Sequence, residues 1–161
     1  MIRPSIPLAA VVLALCALDL HAQGTAQQSV SLEVKAVTKI AVSGNPGSLI
    51  LSDAVAGASL MSVEDQSTSY SVTTNLDNMK IVVSIDNPMP TGTRLMVNVA
   101  STRGFSAGLV DISNATSPVD AVTGISRGSE SAQPISYVFA ADASVGSVPT
   151  QSRTITLTLT N

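Results

Sequence analysis

The 161-residue chain has one cysteine, one histidine, no tryptophan and only four other aromatic residues. Both Cys16 and His21 fall within the first 22 residues. Whatever follows them cannot form a disulfide, a Cys–His or Ser–His–Asp nucleophile, or an ordinary zinc, copper or haem site. No glycine-rich phosphate loop ending in Lys-Ser or Lys-Thr is present. Charge is also scarce: eight Lys and Arg stand against eleven Asp and Glu, for a net charge of −3. That balance excludes the basic field that nucleic acid or an anionic membrane surface needs. The longest apolar run, residues 6–18, is shorter than the ~20 residues that span a bilayer, and no second run approaches that length.

That run has another use. Arg3 precedes it and the small residue Ala22 follows it, the layout of a secretory signal peptide cleaved after Leu20-His21-Ala22. Cys16 is a poor lipid-attachment site, because Leu15 stands where a small residue belongs. The remaining residues 23–161 suit one domain that buries about two-thirds of its unfolded surface. Having no cysteine, an exported domain of this kind holds together through its core and its hydrogen-bonded sheets.

What is abundant is hydroxyl and β-branched side chains, which suit a pleated surface. Nearly every segment alternates with period two, and almost none with period 3.6. Strands are expected at residues 48–51, 69–75, 79–85, 93–99, near Leu109-Val110, and at 119–125, 135–140 and 153–160. Residues 54–65 read as a loop with a possible helical turn. Pro88 and Pro90 stop one ladder, and Gly44-Asn45-Pro46-Gly47 and Asn75-Leu76-Asp77-Asn78 mark turns. Seven to nine short strands of this kind predict an all-β, mostly antiparallel β-sandwich of immunoglobulin-like plan.

Candidate chemistry is thin. Glu64-Asp65 is the one adjacent acid pair, and neighbours in extended chain point apart, so it reads as a solvated loop rather than a glycosidase pair. Asp53, Glu64, Asp65, Asp77, Asp86 and Asp111 fall mostly in turns, and calcium is the one metal such oxygens could hold. The closely spaced array of a dedicated loop is missing, and Asp77-Asn78 and Asp86-Asn87 read more simply as turn formers that cap their own backbone. Phe105, beside Gly104, is the aromatic most apt to stand on a loop. Asn114-Ala115-Thr116 fits a glycosylation acceptor, a pattern that arises easily by chance in a Ser/Thr-rich chain. No catalytic, cofactor-binding or metal-binding residue emerges, and the chain reads as a non-enzyme.

The termini carry the strongest signal. In SVSLEVKAVTKIAV (residues 29–42), Val30, Leu32, Val34 and Ala36 line one edge, and Ser29, Ser31, Glu33 and Lys35 the other. The closing residues 153–160 separate an Ile/Leu face from a Thr face. Fully extended, the opening ribbon reaches roughly 43 Å, about twice an ordinary strand. Two arrangements follow. The ribbon bends near Val37-Thr38 and serves its own sheets, or residues 23–36 leave the domain and residues 37–161 form the sandwich. In the second case Val30, Leu32, Val34 and Ala36 insert into a neighbouring copy by strand addition, and a head-to-tail contact that does not close makes a fibre.

A signal peptide, a Gln/Ser/Thr/Gly lead (residues 23–28), an alternating ribbon and an all-β body closing on RTITLTLTN together resemble bacterial surface-filament subunits that polymerise by donor-strand exchange. The resemblance implies a secreted structural subunit of a fimbria or biofilm matrix, a homopolymer without cofactor or catalysis. It departs from chaperone–usher pilins in lacking their cysteine pair and the penultimate aromatic of their last strand, where Thr160 stands. Chaperone-assisted and chaperone-free assembly are both open. The reading from another class is a monomeric surface module that binds carbohydrate or a host protein.

Overall fold

The alternation of Val, Ile, Leu and Thr with polar residues gives extended chain one dry face and one wet face, and two such faces must meet to make a core. The computed structural model describes residues 24–161, and the leader expected at residues 1–22 lies outside them. The described residues form nine strands and no helix. These are β1 (Thr38–Val42), β2 (Leu60–Thr74), β3 (Met79–Ile85), β4 (Thr93–Val99), β5 (Phe105–Ser106), β6 (Leu109–Asp111), β7 (Val119–Ile125), β8 (Gly128–Asp142) and β9 (Ile155–Thr160).

All pairings are antiparallel. One sheet has the order β1-β2-β8-β4-β6 and the other β5-β7-β3-β9. Side chains from both sheets share one core, to which Tyr70 and Val97 come from the first, and Ile81, Val83 and Val122 from the second. The residues Val34–Asn161 make up this unit. The all-β, two-sheet architecture expected from the period-two pattern is therefore present.

Besides β8, which is expected over residues 135–140 and runs over Gly128–Asp142, the strands differ from expectation chiefly in three places. Residues 60–65, expected as loop, belong to the fifteen-residue β2. The acid pair Glu64-Asp65 blurs the apolar alternation there, but Leu60 to Asp65 pair residue for residue with Asp142 to Tyr137 of β8. Cross-strand pairing overrides local propensity, as it commonly does in sheets. The second difference is residues 48–51, which form no strand, although Leu49 rests half-buried against the core. Third, only Thr38–Val42 of the fourteen-residue ribbon is a strand; residues 29–37 belong to none.

Phe105, expected on a loop, sits in the two-residue β5 and is 78% exposed. Tyr70 and Tyr137 are buried, as their place in alternating strands implies.

Topology fixes which ends lie together. Thr38 pairs with Thr74 at the end of β2, residues 75–78 turn directly into β3, and Lys80 of β3 pairs with Thr160. Asn78 takes a φ of 57° in that turn, a left-handed conformation asparagine tolerates. The start of β1 and the end of β9 thus share one end of the sandwich, and the two strands run in opposite directions.

Candidate functional site

The two flanks of the sandwich are closed differently. On one flank β5 and β6 are the outer strands, and the chain itself crosses from one sheet to the other through Ala107-Gly108. Ala107 N–H donates to the Ala121 carbonyl at 2.8 Å, the Ser106 hydroxyl to Asn98 Oδ1 at 3.2 Å, and Gly108 takes a φ of 74° to make the crossing. These edges are only two and three residues long, which leaves little backbone for another chain to pair with.

On the opposite flank β1 ends one sheet and β9 the other. Between them lies a groove of about 300 Å³ lined by Ile40, Ala41, Val42, Ile155, Thr156 and Leu157. Neither strand has a ladder partner on its outer side among the described residues. Burial records the gap. Val83 and Ile81 of β3 are fully buried, whereas Leu157 and Leu159, paired with them one strand further out, are only partly buried. Val42 is 53% exposed. The apolar face of this flank thus runs out to an uncovered edge.

The approach to β1 is tied down by one side chain. Asn75 accepts from the Val37 N–H through Oδ1 at 2.8 Å and donates from Nδ2 to the Lys35 carbonyl at 2.7 Å, while its own N–H donates to the Val37 carbonyl at 3.2 Å. The carboxamide thus imitates a further peptide unit of β2 and carries the ladder two residues beyond its last backbone pair. In the sequence Asn75 reads as a turn former only; its second role depends on the pairing of β2 with β1, which the sequence does not show.

The four residues singled out from the sequence, Val30, Leu32, Val34 and Ala36, lie outside any strand and are exposed, the first three at 72%, 90% and 89%. They present alternating aliphatic side chains to solvent over seven residues.

The acidic residues weighed as calcium ligands engage neighbouring donors instead. Asp65 accepts from the Ser67 N–H and hydroxyl and from Gly47 N–H, which hold its carboxyl below the usual range. Asp111 accepts from Ser113 N–H and hydroxyl, and Asp86 from Asn87 N–H. Asp77 forms an ion pair with Arg127, whose guanidinium lowers its carboxyl to about 2. Among the described residues no three His, Cys, Asp or Glu side chains group as a metal cage.

A second polar cluster was not visible in the sequence. Glu130, only 6% exposed, accepts from Tyr70 Oη at 2.9 Å, from the Ser101 hydroxyl at 3.0 and 3.1 Å, and from the Thr102 N–H and hydroxyl at 2.9 and 3.1 Å. Burial acts to raise this carboxyl, but the donors together hold it below its ordinary value. It fastens the loop after β4 to the start of β8 and to Tyr70 of β2.

No family model, no curated protein and no solved structure matches this chain.

Proposed function

We propose that this protein is a secreted structural subunit that polymerises head to tail, the segment containing Val30, Leu32, Val34 and Ala36 of one copy filling the β1–β9 groove of the next. The observation that carries the reading is a pair of matching deficits in one chain. Among the described residues, the sandwich has an apolar groove between two sheet edges without outer ladder partners, and the N-terminal segment has an alternating apolar edge that belongs to no strand. Strand addition would remedy both, with main-chain bonds to the free edge of β9 and aliphatic side chains set between Ile40, Val42, Ile155 and Leu157. The contact is heterologous and repeats without closing, the arrangement that generates fibres. An extracellular filament or matrix is the setting that suits the signal-like leader and the hydroxyl-rich surface.

The test is assembly by the full chain, followed by light scattering and electron microscopy. Leu32→Asp should abolish polymers and leave a folded sandwich, because a carboxylate in the groove forfeits about 2–3 kcal/mol of leucine burial and adds a desolvation cost. Equal polymer yield from the variant and the parent would refute the reading.

The monomeric surface module retains one specific observation. Phe105, 78% exposed, lies against Gly124 at the other flank, and an exposed ring is the usual platform for a sugar or a peptide. Unchanged monomers that bind such a ligand only when Phe105 is present would favour it.

A further inference from the structure

We infer that Asn75 decides whether the N-terminal segment is delivered to another copy or folds back into its own groove; this rests on the polymer reading above. The groove lies along Ile40–Val42, the second half of β1, so residues upstream of β1 could occupy it by reversing direction and running back past Thr38 and Lys39. Reversal requires a hairpin turn, which two to five residues can make. The residues available for that turn are Lys35, Ala36 and Val37, and the backbone of two of these is held by the Asn75 hydrogen bonds at 2.7, 2.8 and 3.2 Å. While those bonds last, the chain continues β1 in line instead of turning beside it. A turn placed further upstream would consume Leu32 and Val34, the side chains with the most apolar surface to bury.

The clamp is therefore a positioning residue acting at a distance from the groove. Its hydrogen bonds go to Lys35 and Val37, neither of which lines the groove, and it acts by denying the turn. Its two side-chain bonds are also of the right size for a decision of this kind. Together they are strong enough to bias an equilibrium between an open and a self-closed monomer by about tenfold, and weak enough to be lost without unfolding the sandwich.

The experiment compares the full chain with its Asn75→Ala and Asn75→Asp variants. Aspartate keeps an acceptor for the Val37 N–H and loses the donor to the Lys35 carbonyl. Monomer and polymer are separated by size, and amide hydrogen exchange is followed at residues 29–34 of the monomer. Asn75→Ala should raise the monomer fraction about tenfold, with residues 29–34 now protected, and Asn75→Asp should fall between it and the parent. The proposal is overturned if the variants polymerise like the parent. It is equally overturned if polymer is lost while residues 29–34 stay unprotected, which marks simple destabilisation. Should the alanine variant not fold, Asn75→Asp alone decides by the same two readouts. Leu32→Asp is run alongside: if it polymerises normally, the polymer reading fails and the clamp proposal with it, whereas failure of the clamp proposal alone leaves the Leu32 variant monomeric.

Discussion

Replacing Glu130 by alanine should cost the sandwich roughly 3–4 kcal/mol, and replacing it by glutamine only about 1 kcal/mol. The difference follows from the donors around it. Alanine leaves the Thr102 N–H and the hydroxyls of Ser101 and Thr102 without the acceptor that all three use, at a site only 6% exposed. Each stranded buried donor costs about 1–3 kcal/mol, more than an ordinary hydrogen bond contributes when made. Glutamine can place its carbonyl oxygen at the position facing Thr102 and its amide toward Tyr70. The Tyr70 hydroxyl then accepts that amide and donates to the Ala100 carbonyl, which already lies 2.7 Å away. For a domain of this size, thermal unfolding followed by circular dichroism should show a drop of about 10 °C for alanine and a few degrees for glutamine. The two variants should also differ from the parent in acid. A carboxyl held below its ordinary value near 4.5 favours the folded state wherever it is ionised. That contribution is complete above about pH 4.5 and drains away as the pH falls through the lower folded-state value. The parent should therefore lose its advantage over Glu130→Gln on acidification. Equal melting temperatures for alanine and glutamine, or a gap between parent and glutamine that widens in acid, would refute this account of the cluster.

Other positions test the packing. Ile81→Ala, at a fully buried site, should destabilise the isolated subunit by about 2–5 kcal/mol in urea titrations. Leu157→Ala, on the half-covered β9, should cost the subunit less and the polymer more, so the order of the two variants should reverse when polymer dissociation is measured instead of unfolding. Gly104→Ala should lower the urea midpoint by the equivalent of about 1–3 kcal/mol, because a Cβ there would meet the Thr123 carbonyl at 2.8 Å and the Ile125 side chain at 2.7 Å. Removing the exposed Asp77–Arg127 ion pair with Asp77→Asn should leave the melting temperature nearly unchanged in 0.5 M salt, where a screened surface pair contributes little.

How much of this was legible in the sequence depends on whether the information is local. Strands such as Met79–Ile85 and Ile155–Thr160 were readable because their apolar faces repeat every second residue and their ends carry turn formers. The first half of β2 was not, since Glu64 and Asp65 interrupt the pattern and only the partner strand β8 makes the segment extended. The ribbon's two fates could not be separated by periodicity, because residues 29–36 and Thr38–Val42 alternate alike; what divides them is where β2 ends and Asn75 stands. The groove itself is a property of strand order. Nothing in the residues of β1 or β9 states that both are outermost. Glu130 was unreadable for a similar reason: its donors are 28 to 60 residues away and converge only once β2, β4 and β8 are aligned.

Cross-linking tests the central claim most directly. Two full-length chains are prepared in a Cys16→Ser background, one with Leu32→Cys and the other with Leu157→Cys, and mixed under mild oxidation. If the N-terminal segment of one copy lies in the β1–β9 groove of another, disulfide-linked heterodimers joining position 32 to position 157 should form rapidly and dominate over linked pairs of either variant alone. Heterodimers no more abundant than those same-variant pairs would show that the groove and the segment do not meet between copies.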